Sequence, residues 1–117
     1  MMVKSNPVKD KSFQLAIRVV NLSRHLSQTR QEFVMSKQLL RCGTSIGANI
    51  REAQDGESGA DFVHKLSISL KESGELLYWL DLLHATQFLT TPEYESISKD
   101  AIEVRKLLTA IIKSSKK

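Results

Sequence analysis

Two Asp-x-x-His pairs are the residues of this chain whose types and spacing come closest to a metal or acid–base site. They are Asp61 with His64 and Asp81 with His84, and each pair places a carboxylate and an imidazole on one side of a helix. A di-iron bundle needs Glu-x-x-His on two helices and inward Glu residues on two others, whereas both pairs here fall in one predicted helix, about 30 Å apart. We therefore predict no metal site and no cofactor.

The other candidates for chemistry are a single thiol and a glycine-containing stretch. Cys42 has no CxxC partner and lies in the middle of a predicted helix instead of at a helix N-terminus, where a thiolate is stabilised. The stretch Gly43-Thr44-Ser45-Ile46-Gly47 superficially suggests a phosphate loop, but no GKS or GKT follows it and no strand precedes it. No Ser/His/Asp arrangement emerges either. We predict a buried, inert thiol and a protein that is not an enzyme and has no small-molecule substrate.

Charge leaves nucleic acid as a possible partner. The net charge is +4, and residues 1–30 carry six Lys or Arg against one Asp. Lys11, Arg18 and His25 repeat every seven residues along the first predicted helix, and antiparallel helices would bring both basic termini to one end of a bundle. The candidate contacts are Lys4, Lys9, Lys11, Arg18, Lys113, Lys116 and Lys117. A charged helix face is also commonly just solvated, so a protein-binding scaffold with no nucleic-acid role stays open as the alternative.

Four helices must position these residues, and no strand-like alternation of useful length competes with them. Capping signals and breakers place the helices at about 7–26, 32–54, 59–87 and 92–113; the signals are Asn6-Pro7, Ser58-x-x-Asp61 and Thr91-Pro92-Glu93. Gly56 is expected to end the second helix in the left-handed conformation. Short connections favour antiparallel neighbours, which predicts an all-α, up-down-up-down antiparallel four-helix bundle.

Length and composition predict one domain over residues 1–117. A chain of this size buries roughly two-thirds of its unfolded surface, so it needs no disulfide to fold. No apolar run approaches the roughly 20 residues that a bilayer demands, and the segment from Met1 to Ser12 lacks the apolar block of a secretory signal. We expect a cytoplasmic protein without a membrane partner.

The predicted helices carry more apolar surface than one bundle can bury. Helix 1 has one seam of Phe13, Ala16, Ile17 and Val20 beside a second of Leu15, Val19, Leu22 and Leu26, although a monomeric bundle needs one. In the third helix, a predicted core face of Phe62, Leu66, Leu70, Ser73, Leu77 and Leu80 lies opposite a face of Ile68, Lys71, Glu75, Tyr78, Trp79 and Leu82. Aromatic and aliphatic side chains on an outer face are typical of an interface. We predict self-association, unless Trp79 merely covers a groove between helices.

Helix 2 combines small residues with a polar strip. Gly43 and Gly47 each cost about 1 kcal/mol relative to Ala inside a helix, so we expect a neighbour to press close against them. Arg41 and Glu52 lie about 16 Å apart and need partners on other helices or subunits, for which Lys71 and Glu75 are the natural candidates. The predicted interface residues are Gln38, Arg41, Ser45, Asn49, Glu52, Lys71, Glu75, Tyr78, Trp79 and Leu82. A solvated polar face remains the alternative for the strip.

Three stretches carry a resemblance to a known family. They are the run from Gln38 to Ala53, with its Ser-Ile-x-Ala-Asn-x-x-Glu core, then Ala60-Asp61-Phe62-x-x-Lys65-Leu66, and Lys71-Glu72-x-x-Glu75-x-x-Tyr78-Trp79-Leu80. The chain resembles, from about Lys11 to Lys113, the bacterial four-helix bundle proteins encoded in intervening sequences of 23S rRNA genes, often labelled S23 ribosomal protein. The resemblance implies a homopentamer without enzymatic activity or cofactor. By analogy with the pentameric accessory protein of diversity-generating retroelements, it also suggests RNA or a ribonucleoprotein as partner.

Overall fold

The computed structural model describes residues 6–56 and 58–116, which form four helices joined by short connections. The helices are α1 (Pro7–Gln28), α2 (Met35–Gln54), α3 (Gly59–Ala85) and α4 (Thr91–Ser115). The described residues contain no strand, so the predicted all-α class is confirmed. No helix in this part of the chain is long and apolar enough to cross a membrane.

The four helices form the predicted antiparallel bundle. Each helix packs against the next one in sequence, and α1 packs against α4, which closes the bundle. Along α2 and α3 the contacting pairs are Arg41 with Glu72, Ile46 with Ser69, and Glu52 with Lys65. Residue numbers rise on one helix as they fall on the other, so these neighbours run in opposite directions.

Two helices begin with the side-chain caps that the sequence predicts, and α4 begins at Thr91, one residue before the predicted start, with Thr90 as its cap. At α4 the Glu93 N–H donates to the Thr90 hydroxyl at 3.3 Å, and the Thr90 N–H donates to the Glu93 carboxylate at 2.8 Å. The Ser58 hydroxyl accepts from the Asp61 N–H at 3.1 Å at the start of α3, and Asn6 caps α1. These contacts fix the helix starts because the first N–H groups of a helix otherwise lack acceptors.

Helix α2 begins later than predicted, at Met35 instead of Glu32. The Glu32 carboxylate accepts hydrogen bonds from the N–H groups of Val34, Met35 and Ser36 at 3.0, 2.7 and 3.1 Å. Glu32 therefore lies outside the helix and caps it, and its negative charge lies next to the positive end of the helix dipole.

The prediction for Gly56 is wrong, because no described glycine has a positive φ. A Cβ on Gly56 would lie 2.5 Å from an Asp61 carboxylate oxygen, so a larger residue there would displace that carboxylate. The left-handed residues of the described chain are instead Gln31, with φ 55°, and Gln87, with φ 68° after α3. There the Phe88 N–H donates to the Leu83 carbonyl at 2.9 Å, the bond that closes a Schellman motif.

Of the two apolar seams of α1, one is buried in the core and the other is largely exposed. Leu15, Val19 and Leu26 are fully buried, whereas Phe13 is 49% and Ile17 41% exposed. The apolar stripe of α4 faces the core, with Ile97, Ala101, Val104 and Leu108 buried and Tyr94 and Ile111 partly buried. The sequence pattern thus located the excess apolar surface of α1.

The core face of α3 differs from the prediction. Leu76 and Leu83 are fully buried, whereas Phe62, Leu70 and Leu77 are only partly buried. Leu66, Leu80 and Ser73 are buried as expected. The difference arises because α3 packs against both α2 and α4, so its buried surface is wider than a single seam and is centred beside the predicted one.

The two glycines of α2 meet different surroundings. A Cβ on Gly43 would lie 2.5 and 2.8 Å from the two methyl carbons of Val19, so α1 presses against α2 at this position. A Cβ on Gly47 would meet nothing nearer than Ser12 at 3.6 Å, an ordinary contact distance. The expected close approach is therefore present at Gly43 and absent at Gly47.

Candidate interaction surfaces

The Asp-x-x-His residues make ordinary structural contacts. The Tyr94 hydroxyl donates to Asp81, and the imidazole of His84 stacks on the Tyr94 ring with centroids 4.3 Å apart. The His84 Nε2 lies 3.1 Å from the Thr91 hydroxyl, and His64 is exposed. Within residues 6–56 and 58–116, no three His, Cys, Asp or Glu side chains are grouped so that they could hold a metal ion.

Cys42 lies in the core with none of its surface exposed. Its Sγ donates to the Leu39 carbonyl at 3.6 Å, and burial raises the pKa of the thiol to about 12. Because only the thiolate is a good nucleophile, this thiol is unreactive at neutral pH while the bundle is folded.

The polar strip of α2 lies against α3 of the same chain. The Arg41 guanidinium donates to Glu72 at 3.1 Å, to Gln38 at 3.2 Å and to Glu75. The hydrogen bond from Arg41 lowers the pKa of the Glu75 carboxyl, and Glu75 in turn raises the pKa of Arg41. Of the two candidate partners on α3, Glu75 therefore does bind Arg41.

The other strip residues are also engaged within the chain. The Asn49 amide donates to the carbonyl and hydroxyl oxygens of Ser45 at 2.9 and 3.0 Å. Glu52 lies 3.8 Å from the Lys65 ammonium, so Lys65 and not Lys71 is its partner. Arg41 and Glu52 thus both find partners on α3, which accounts for the strip without a second subunit. Its contact with a neighbouring subunit stays a prediction.

The two aromatic residues of α3 have different environments. Tyr78 is 57% exposed, whereas Trp79 packs partly buried against the core, and their rings meet edge to face at 5.2 Å. The indole N–H of Trp79 is buried without a hydrogen-bond partner among the described residues. Lys71 is exposed and Leu82 half-buried. Tyr78 is therefore the accessible aromatic anchor of this face.

A second uncovered surface, the α1–α2 face, consists of Phe13, Ala16, Ile17 and Val20 of α1 with Leu40, Thr44, Gly47 and Ala48 of α2. The Arg51 guanidinium lies 5.1 Å from the centre of the Phe13 ring, and a groove of about 300 Å³ separates Phe13 from the small residues of α2. Leu40 is 38% exposed. The sequence prediction included the α1 residues of this face but not Leu40. Leu40 lies one helical turn before Thr44 on the outer side of α2, and this position could have indicated that it belongs to the face.

The predicted nucleic-acid residues divide into paired and unpaired groups. The Lys11 ammonium lies 2.6 Å from Glu103, and Arg18 lies 2.6 Å from Asp100 while also donating to the Ser96 carbonyl at 3.2 Å. These two cations join α1 to α4. Lys9, Lys113 and Lys116 are exposed and make no salt bridge with the described residues, and Lys4 and Lys117 lie outside them.

Comparison with known proteins identifies relatives of the whole bundle. A family model described as 23S rRNA-intervening sequence protein matches residues 4–110. A solved structure of a protein with unknown function from the S23 ribosomal protein family of Bacteroides thetaiotaomicron VPI-5482 is 57% identical in sequence. The match covers 92% of this chain and 96% of that one, with a TM-score of 0.91. No curated protein matches the chain.

Proposed function

Because this chain belongs to the 23S rRNA-intervening sequence protein family, we propose that it is a non-enzymatic scaffold that assembles with copies of itself. The observation that carries the proposal is the exposure of large apolar side chains on two separate faces. Phe13, Ile17 and Leu40 are 38–49% exposed on the α1–α2 face, and Tyr78 is 57% exposed on α3. Contiguous apolar surface of this kind marks protein interfaces.

The two faces differ in composition and lie on different sides of α2. The α1–α2 face is mostly apolar, with small residues on α2, and contains a groove beside Phe13. The Tyr78 face consists of Ile68, Lys71, Glu75, Tyr78 and Leu82, and presents an aromatic ring among charged and aliphatic side chains. We expect the Tyr78 face of one copy to pack against the α1–α2 face of the next.

A contact between unlike faces has a consequence for the assembly. Such head-to-tail contacts leave one face of each kind unoccupied in a dimer, so assembly continues until a ring closes. The family resemblance implies that the ring contains five copies. Light scattering after size-exclusion chromatography, repeated over a range of concentrations, measures this number.

A matched pair of variants tests the α1–α2 face. Ile17 and Ile102 are both isoleucines with 41% exposure, but Ile102 lies on α4, outside both proposed faces. Ile17→Glu buries a charge in the proposed contact and should yield smaller particles, whereas Ile102→Glu should leave the mass unchanged. A monomeric wild type at high concentration, or equal effects of the two variants, contradicts the proposal.

Mixing two variants tests whether the contact joins unlike faces. Ile17→Glu retains an intact Tyr78 face, and Tyr78→Glu retains an intact α1–α2 face. Each alone should be monomeric, but an equimolar mixture should form a heterodimer that cannot grow further. If each face instead packs against the same face of another copy, each variant should form homodimers through its one intact face. The mixture should then contain no heterodimer.

A further inference from the structure

Two acidic residues of α4 pair with cations of α1. Asp100 binds Arg18 and Glu103 binds Lys11, both across the contact with α1. After Glu103 the sequence contains no acidic residue up to Lys117. The C-terminal half of α4 therefore carries positive charge that its own carboxylates do not neutralise.

The outer side of α4 arranges this charge in a line. The line consists of Lys99, Lys106, Lys113 and Lys116, which we call the basic ridge. The first three are seven residues apart, so their Cα atoms follow one another at about 10.5 Å along one face of the helix. All four are exposed, and none makes a salt bridge with another residue of the described chain.

A shallow groove of about 430 Å³ accompanies the ridge between Lys106 and Lys113. Its lining is Ile102, Arg105, Lys106, Thr109, Ala110 and Lys113, without a carboxylate. Arg105 is held there because its guanidinium donates to the Leu70 carbonyl at 3.0 Å and to the Ser73 hydroxyl at 3.2 Å. Glu95 and Glu103 line a second groove toward the start of α4, together with Lys99 and Lys106 of the ridge, so the charge without nearby carboxylates lies in the C-terminal half of α4.

We propose that the basic ridge binds the phosphate backbone of double-helical RNA. Ammonium groups in a line suit a regular polyanion, and their binding releases the counterions condensed on it. The ridge contains no aromatic side chain, which disfavours single strands because these are held largely by base stacking. Ile102 is the only large apolar residue exposed on α4 among the described residues, too little to insert into a membrane surface.

The shape of α4 selects RNA over DNA. Because α4 packs against α1 and α3, only its outer side is accessible, and it cannot enter a groove as a protruding recognition helix does. A-form RNA offers a wide, shallow minor groove lined by phosphates and 2′-hydroxyls, which accepts such a low ridge. Binding should therefore depend on shape and charge and be insensitive to base sequence.

The ridge lies outside both proposed assembly faces, so this inference does not rest on self-association. An assembly of several copies would present several ridges and raise the apparent affinity. Monomeric Ile17→Glu should still bind RNA, more weakly than the assembly. The two proposals can consequently fail separately.

The experiment measures fluorescence anisotropy of a labelled RNA duplex against salt concentration. The test variant is Lys106→Gln with Lys113→Gln. The matched control is Arg24→Gln with Lys37→Gln, which removes the same charge from exposed, unpaired residues off the ridge. Light scattering and thermal unfolding verify that all three proteins share assembly and fold.

We expect the ridge variant to bind more weakly and to lower the slope of log affinity against log salt by about 1.4 to 1.8, since each of the two lost phosphate contacts removes about 0.7 to 0.9. The control should retain the wild-type slope. Equal loss in both variants, or no binding by the wild type at low salt, overturns the proposal. Tighter binding to a DNA duplex of the same sequence, to single-stranded RNA or to anionic vesicles also overturns it.

Discussion

The contact between α1 and α2 at Gly43 predicts opposite effects of one substitution at two glycines. Gly43→Ala adds a methyl group where two Val19 methyl carbons lie 2.5 and 2.8 Å away. Val19 is fully buried and β-branched, so its side chain has no other rotamer to adopt without moving α1. Gly47→Ala adds the same group at 3.6 Å from its nearest neighbour, where it fits.

The two changes share one favourable contribution and differ in one unfavourable contribution. Replacing Gly by Ala within a helix stabilises it by about 1 kcal/mol in both cases. Overpacking a core costs about 1–3 kcal/mol and applies only to Gly43. We expect Gly47→Ala to raise the free energy of unfolding by up to about 1 kcal/mol and Gly43→Ala to lower it by up to about 2 kcal/mol.

Urea unfolding followed by circular dichroism measures both values. Because Gly47 lies on the α1–α2 face, the variants are compared in the Ile17→Glu background, where assembly does not contribute to stability. Adding Val19→Ala removes the methyl groups that meet the new one, so Gly43→Ala should then become neutral or stabilising. If Gly43→Ala stabilises as much as Gly47→Ala, or if Val19→Ala does not change its effect, the close approach of α1 and α2 is refuted.

Three further predictions concern single side chains. Cys42 should react with thiol reagents only after unfolding, so its labelling rate should increase with urea; rapid labelling without urea would contradict its burial. The pKa of Glu75 is lowered in the folded protein, so its carboxylate stabilises the fold above the unfolded pKa of about 4.3 and loses this effect as pH falls. Between pH 6 and 3 the unfolding free energy of Glu75→Gln should therefore change less than that of the wild type. The difference should be less than about 1 kcal/mol because both partners are partly exposed. Gln87→Gly should raise the unfolding free energy by about 0.5–1 kcal/mol because Gln87 has φ 68°, and no gain would argue against that conformation.

Local signals predicted where three of the helices begin, because the N-terminal caps involve residues close together in sequence. Asn6 and Ser58 cap α1 and α3 as predicted, whereas α4 is capped by Thr90, one residue before the predicted Thr91-Pro92-Glu93 signal. The predicted start of α2 was wrong because Glu32 caps that helix from three residues before Met35, although glutamate is also common inside helices. The left-handed end at Gln87 was missed because glutamine carries no signal for that conformation.

The surfaces show what the hydrophobic periodicity of a helix can predict and what it cannot. It located the excess apolar surface of α1, because polar residues occupy only a narrow strip there, but it could not say which seam the core would take. It also indicated that Arg41 and Glu75 could be partners. It left open whether they meet within one chain, as they do, or between subunits. Periodicity describes one helix at a time, whereas the rotation of each helix depends on its neighbours.

The amino-acid sequence by itself determined the four helices, their antiparallel order and the surplus of apolar side chains. Hydrophobic periodicity, helix caps and short connections are local properties of the sequence. Together they are compatible with one simple arrangement of the helices, the antiparallel four-helix bundle. Only the tertiary structure decided which charges remain available, because Lys11 and Arg18 are neutralised by carboxylates more than 80 positions away in the chain. Ion pairing between distant residues follows from the packing of α1 on α4, and this packing leaves the lysines of α4 exposed without a salt bridge to a described residue.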